Sequence, residues 1–495
     1  MHFAEAVVLA ARRAARLRIV SRSEQVMPET FRASRSGGQD VRDPTKRLAS
    51  VRVSPGGCLA TAAILTFVSL LLLRTHRDLA ALILIAGTWT IIPLVFISDR
   101  LNFDGDTLSR SGLISLLSRF VRGRAHCIAV EDIERVEVTT LRTLRRGGSV
   151  RYRYRVEITG REQAFIFASG GQGFRQMVRV LLARVSDHKL DARARELRDH
   201  LSDARAIRAE VARLDIGPVS MLEQTNEATG KKIDRHRRAI SDHETSAAEA
   251  ERANLLRKAA NDLRVAGRLR ESAEAFRRAL IISPHEPWLI YEYARLLRSQ
   301  ASAFGDARLL ARAGAALRLA PRRSTNDARL LERIGESFLE YGDPARAAKS
   351  FRHALRIDEA SYRAQLGLAE VALTEGKLAH VIHHYNDAAR IAPDKASARL
   401  AQREADYYAR LNNDEDYLAA ELRRMNWLEG ANRVHPLAAR MSFAALLIAL
   451  VGPSVAQVVA GLGWALASSS IIAWFSSLII RKLLAARRRA EMSDL

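Results

Sequence analysis

Gly376-Lys-Leu-Ala-His-Val-Ile-His-His-Tyr385-Asn-Asp-Ala388 can be laid over Gly342-Asp-Pro-Ala-Arg-Ala-Ala-Lys-Ser-Phe351-Arg-His-Ala354 at an offset of 34 residues. Glycine falls on glycine, aromatic on aromatic and alanine on alanine. The same offsets from Gly267 reach Phe276 and Ala279, with Pro284 standing where Pro393 stands in the last copy. A period in this range marks a stacked array of small helical units. The glycine belongs in the turn between two helices, where a side chain is expected to clash. The alanines let paired helices approach, the aromatics fill the space between units, and the proline ends the second helix.

That ladder resembles the tetratricopeptide repeat, a helix–turn–helix unit of this length. Copies are read around Gly267, Gly342 and Gly376. A stretched copy over Pro287–Thr325 is marked by Trp288, Ala294, Gly305, Ala316 and Pro321, and Glu359 stands where proline is expected. A fifth unit, Ala396–Leu428, keeps helical periodicity without the signature and is read as a cap. The array therefore spans about 253–430. The resemblance implies a helical solenoid with a concave groove lined by the first helix of each unit, and a protein or peptide partner in that groove. Some members clamp an acidic C-terminal carboxylate with basic and amide side chains. Mapped by position, Arg257, Asn261, Arg329 and Arg333 are the peptide-groove candidates, whereas Glu292 occupies a place that needs Asn and opposes an anion.

The remainder of the 495-residue chain is read from charge and hydropathy. Its net charge of +23, from 78 Lys and Arg against 55 Asp and Glu, admits an anionic membrane or a nucleic acid as partner. Two cysteines, Cys58 and Cys127, offer neither a disulfide framework nor a zinc pattern. Residues 1–52 form a basic tail, with eleven Lys or Arg against five acids. A helix over Ala4–Val20, a disordered tail and a start at Met27 are all open readings of it, whereas a secretory signal is not expected, since its arginines follow the apolar run. Ser34–Arg52 is read as linker.

Val53–Leu73 and Leu79–Ser98 are uncharged and of spanning length, so residues 53–98 are expected to form a transmembrane hairpin. Met441–Ile480 is a second uncharged block, too long for one crossing. A second hairpin turning near Gly461 and Gly463 is expected, or a re-entrant segment. The flanking cations, including the basic tail 481–495, place the N-terminus, central domains and C-terminus on the cytoplasmic side of a bacterial inner membrane. Topology then accounts for much of the charge, and nucleic acid is not an expected partner.

Between the membrane block and the repeats, residues 99–187 carry short alternating runs: Asp99–Phe103, Cys127–Val130, Arg135–Thr140, Val150–Ile158 and Ala164–Phe167. Phe174–Val185 follows as an amphipathic helix. This order after two spans, with Leu101-Asn-Phe-Asp-Gly-Asp-Thr-Leu108 and Val130-Glu-Asp-Ile-Glu-Arg-Val136, resembles the bacterial pleckstrin-homology-like domains, and implies a curved sheet capped by one helix. In Arg151-Tyr-Arg-Tyr-Arg155 the arginines share one face of a strand and the tyrosines the other. Arg145, Arg146, Arg151, Arg153 and Arg155 are accordingly candidates for anionic-lipid contact. A solvated basic edge is the plain alternative. Residues 188–252 are read as a helical linker.

No catalytic constellation emerges. Gly230-Lys231-Lys232 lacks the glycine and hydroxyl of a phosphate loop, and Gly170-Gly171-Gln172-Gly173 is read as a strand-to-helix turn. His380 and His384 lie one turn apart without a patterned acidic partner, so no metal and no cofactor are expected. The fold expected is mainly α: a helical solenoid, a small antiparallel β domain, and four transmembrane helices in two hairpins. The function expected is that of a non-enzymatic membrane scaffold that recruits a protein. A transport or envelope-assembly component with a regulatory array is the alternative, disfavoured by spans that carry no charge.

Overall fold

In a computed structural model, the described residues are 48–53, 56–113, 115, 127–144, 150–161, 163–170, 173–201, 204–214, 247–323, 326–451 and 457–484. The expected N-terminal helix over Ala4–Val20, most of the long linker and the end of the basic tail lie outside them.

The chain enters the described region as a strand, β1 (Ala49–Arg52), and not as linker. Two apolar helices follow, α1 (Gly56–Arg74) and α2 (Asp78–Ser98). The chain then returns as β2 (Arg100–Phe103), which pairs antiparallel with β1, Val51 opposite Leu101. The apolar hairpin is thus an insertion between two neighbouring strands of one sheet. Ala49 and Val51 alternate inward with Leu101 and Phe103 and are buried with them, which a polar linker could not supply. β3 (Thr107–Ser111) and β4 (Cys127–Ala129) complete a four-stranded sheet in the order β1-β2-β3-β4. A second sheet holds β5 (Ile133–Leu144), β6 (Val150–Gly160) and β7 (Ala164–Ala168). Helix α3 (Phe174–Arg184) covers both, burying Phe174, Met177, Val178, Leu181 and Leu182 in their shared core. At its start Gly173 sits at φ +85°, and a Cβ there would lie 2.0 Å from the Ser50 carbonyl oxygen, so the helix is fitted against β1 at a position only glycine tolerates.

Two short helices follow, α4 (Ala192–His200) and α5 (Ala204–Arg213). The array begins with α6 (Ala247–Val265) and α7 (Leu269–Ile282), continues with α8 (Pro287–Phe304) and α9 (Ala307–Arg323), then α10 (Ala328–Glu340) and α11 (Pro344–Ile357), and then α12 (Tyr362–Glu375) and α13 (Leu378–Ile391). Helix α14 (Lys395–Asn413) stacks on the last pair. Glu286, Asp327, Asp343, Ser361 and Asp394 each accept an amide hydrogen bond as N-caps, which explains the sharp helix starts. The four turn glycines, Gly267, Gly305, Gly342 and Gly376, all have φ between +70° and +82°. At Gly305 and Gly342 a Cβ would meet open space, so backbone handedness demands glycine there, and the expected steric clash does not arise. Pro321 does not end its helix either, since α9 continues to Arg323.

Four spans were expected, and two of the described helices are long and apolar enough to cross a membrane: α2, over Asp78–Val95, and α16 (Gln457–Leu484). Thr61–Arg74 of α1 is a shorter apolar stretch. The fourth expected span is the end of a 37-residue helix, α15 (Glu415–Val451), which begins in the array. Its uncharged part, from Met441 to Val451, gives only ~16 Å at 1.5 Å per residue, short of a ~30 Å hydrocarbon core. Gly461 and Gly463 lie inside α16 and do not form the turn. Gly463 faces the backbone of Ala449, where a Cβ would come within 2.5 Å, so the glycine permits close helix packing. The two apolar hairpins also meet each other, through Phe67, Ala445 and Ala467, with the Arg74 guanidinium 5.6 Å from the Trp464 ring centre.

Inside the array Phe351 is fully buried between two small residues, Gly335 and Gly367. A Cβ on Gly367 would stand 2.4 Å from the Phe351 ring, and one on Gly335 2.7 Å from it. Gly367→Ala is therefore expected to destabilise the array by about 1–3 kcal/mol through overpacking, with partial recovery when Phe351→Leu is added. Urea unfolding of the three chains, followed by circular dichroism, tests this.

Candidate functional site: the groove of the array and what fills it

The groove is lined by the first helix of each pair, α6, α8, α10, α12 and α14. The chain's own helix α4 lies in it. Its start is fixed by Asp191, whose carboxylate accepts the amides of Ala194 (2.6 Å) and of Val138 on β5 (3.1 Å), while the Asp191 amide donates to the Val136 carbonyl (3.0 Å). Ala194 and Leu197 are buried in the core of the β unit. The remaining face of α4 reads Arg195, Glu196, Asp199, His200, and every one of these meets an opposite or hydrogen-bonding partner in the array.

Glu196 stands between Arg264 of α6 (2.8 Å) and Arg295 of α8 (2.9 Å). Burial alone would raise its carboxyl, but the two guanidinium groups outweigh burial and hold it down at about 2. Arg195, 2% exposed, pairs with Glu336 of α10. Glu336 also accepts from Nε of Arg363 on α12 (3.0 Å) and is likewise held at about 2, against the effect of burial, by Arg363 and Arg195. Arg363 reaches further. Its Nη1 donates to the carbonyls of Asp187 (3.3 Å), His188 (3.3 Å) and Leu190 (2.8 Å), the residues that lead into α4. Beyond them His188 and Lys189 approach Asp394, the N-cap of α14, at 2.6 and 3.4 Å. Arg399 and Arg403 of α14 pair with Asp132 (3.2 Å) and Glu134 of the β unit.

The groove residues expected from sequence are partly displaced from that role. Arg257 lies 3.8 Å from both Glu286 and Glu292, and Asn261 donates to Glu292 at 2.7 Å, so array carboxylates already engage both. Glu292, read as opposing an anion, thus neutralises this corner. Arg333 does face the occupant, 3.8 Å from Asp199, and stacks over Trp288 at 5.2 Å. Arg329 is exposed and belongs to no ion pair among the described residues. The residues that hold α4, namely Arg264, Arg295, Glu336 and Arg363, were not singled out. A signal existed: Arg264 sits between Leu263 and Val265, and Arg295 precedes Leu296-Leu297, so each cation adjoins apolar positions that the helix must bury.

The arginines of β6 fall as the alternation requires. Arg151, Arg153 and Arg155 share a face with Thr143, Leu141 and Thr139 of β5. Tyr152 and Tyr154 turn to the array, where the Tyr154 hydroxyl donates to the Val265 carbonyl at 2.8 Å. Arg145 and Arg146 lie outside the described residues. On α13, His383, His384 and Asp387 bring possible ligand atoms within 4.8 Å of one another, but Arg390 already pairs with Asp387 and the His384 ring nitrogen meets Gln365 at 3.0 Å.

The fold and groove define a helical-repeat solenoid of tetratricopeptide type, joined to small antiparallel sheets. No family model matches the chain, and no curated protein does. Among solved structures, one of MamA protein is similar over 36% of this chain and 91% of its own, at 14% identity and a TM-score of 0.28. One of the APC/C hetero-tetramer Cut9-Hcn1 is similar over 60% of this chain and 49% of its own, at 13% identity and a TM-score of 0.27. At these scores the assignment rests on the chain's own repeat geometry.

The depressed carboxyls set a pH window. Glu196 and Glu336 bind protons more weakly when folded than their ordinary value of 4.5, so their contribution is full above pH 4.5 and is lost as pH falls from there toward about 2. The urea midpoint of the chain should fall steeply below pH 4.5. Glu196→Gln should lower it at neutral pH, by on the order of 3 kcal/mol for two buried cations left without their acid, and should flatten the acid dependence. An unchanged acid slope in that variant would count against the cradle.

Proposed function

We propose that this chain is a membrane-anchored tetratricopeptide-type scaffold that recruits a protein or peptide partner to the cytoplasmic face of a bacterial inner membrane. The observation that carries the reading is the groove itself: it recognises a segment in cis by cradling a buried carboxylate between Arg264 and Arg295 while Arg363 reads three main-chain carbonyls within a four-residue stretch. Such recognition of an acid and of backbone is what a peptide-binding groove needs. The two small sheets and covering helix of the β unit are compatible with a pleckstrin-homology-like domain, and the β6 arginines are its candidates for anionic lipid. Anchoring is supported by the hairpin inserted between β1 and β2 and by the second hairpin growing out of α15, which pack on each other. Tethering would concentrate the partner at the surface.

Two measurements test this. Reporter domains fused to both chain ends and inserted near residue 230 should all report cytoplasm, whereas an external signal at one of them would overturn the topology. Affinity capture from detergent-solubilised membranes should recover a partner with the native chain and lose it with Arg363→Glu/Arg399→Glu. Identical capture by both chains would remove the groove from the function.

A further inference from the structure

The contacts between the β unit and the array change character along the groove. At the first repeat apolar and main-chain contacts accompany the buried Glu196–Arg264 pair. Val150 and Ile207 are buried in one cluster with Leu256, Leu263, Phe276 and Leu296. The Val150 amide donates to the Gly267 carbonyl at 3.3 Å, and a Cβ on Gly267 would strike the Val150 carbonyl oxygen at 1.9 Å. From α10 onward the character is polar. Among the described residues, the apolar clusters that hold α10 to α14 contain no residue of the β unit. What joins the two there is ionic and hydrogen-bonded: Arg195 with Glu336, Arg333 with Asp199, Arg363 with three carbonyls, His188 and Lys189 with Asp394, Arg399 with Asp132, and Arg403 with Glu134. The other face of α4 is apolar and packs into the β unit, as is that of Leu190. Apolar burial is hard to undo, whereas the partly exposed pairs of this set, such as Arg399 with Asp132, are weak and screened by salt, and the buried Arg195–Glu336 pair is the costliest contact that opening must break.

We propose that the β unit is a hinged cover. It stays on the first repeat, swings away from α10, α12 and α14 with α4 attached, and uncovers a surface that takes an acidic peptide segment. The proposal rests on the scaffold reading for its biological sense. The chemistry of the partner follows from what the cover presents. Arg399 and Arg403 take Asp132 and Glu134, and Arg333 takes Asp199, so an incoming segment must bring carboxylates to those three cations. Arg363 can take carbonyls from any backbone that lies across α12, as it does those of Asp187, His188 and Leu190. Competition between cover and peptide for the same cations makes the closed state self-inhibiting.

The test uses the full chain in detergent. Spin labels are placed at Glu131→Cys, on the cover, and Glu359→Cys, on the array, both exposed positions. Cys58→Ser and Cys127→Ser clear the background. The native chain should give one narrow distance at low salt. Asp132→Arg/Glu134→Arg leaves the groove intact and should broaden that distance and lengthen it by about 10 Å, a helix diameter. Adding Arg399→Glu/Arg403→Glu should restore it, which also shows that the variant folds. Salt raised toward ~1 M, where screening acts within ~3 Å, should open the native chain. A distance unmoved by both the variant and salt overturns the hinge. The probe for the surface is a fluorescent oligo-glutamate peptide with oligo-glutamine as control. Binding to the opened chain at least tenfold tighter than to the native one, for glutamate alone, supports the surface. Opening without that preference overturns the partner class. A chain that opens and binds oligo-glutamate, yet captures nothing from membranes, sinks the scaffold reading and leaves the hinge standing.

Discussion

One buried carboxylate governs how the soluble parts of this molecule sit together. Glu196 lies between Arg264 and Arg295, on two successive repeats of the array, and it projects from a helix whose other face is built into the β unit. Three pieces of chain far apart in sequence meet at that group. Removing a charge from water is costly, so such an arrangement persists only when both guanidinium groups are delivered at close range. The repeat geometry delivers them, because equivalent helices stack with their groove faces aligned. Two repeats further on Glu336 repeats the motif, a carboxylate between Arg363 of the array and Arg195 of α4, with the acid now on the array side.

The two kinds of bonding in the molecule divide its labour. Within the array, cohesion comes from alanine-lined helix pairs and from aromatics such as Phe351, wedged between Gly335 and Gly367. Within the β unit it comes from alternating apolar positions on two sheets under α3. Between them, cohesion is apolar only at the first repeat. Beyond the first repeat charge thus takes over between the two, as interfaces between domains generally show.

Much of the fold was legible in the sequence because its signals are local and repeat. Glycine, aromatic and alanine recur at fixed offsets, and the left-handed turn at Gly305, Gly342 and Gly376 explains why the glycine position survives even in the stretched copy. Five of the seven strands among the described residues, those whose runs were singled out, and the amphipathic helix α3 were readable for the same reason. Strand β1 was not. It is four residues long, lies among polar neighbours, and finds its partner only beyond an apolar hairpin. The end of α15 was misread because a run of uncharged residues does not reveal that its helix began well outside the run. The groove was legible as a place and not as a set of residues. Its occupant, α4, looked like linker because its exposed-looking charges are satisfied by residues about 60 to 140 positions away, and Arg257 and Asn261 looked available because Glu292 was read as an obstacle and not as their partner.

The placement of the first apolar hairpin orders events in time. Strand β1 is synthesised before α1 and α2, and its neighbour β2 after them. The edge of β1 therefore stays unpaired until the whole hairpin has been made and its two feet have returned to strand spacing, about 4.8 Å apart. Gly173, which must fit against the Ser50 carbonyl, waits on the same event. Closure of the four-stranded sheet thus depends on the hairpin: a chain whose hairpin does not bring its two feet together cannot set β2 beside β1 and keeps an open sheet edge.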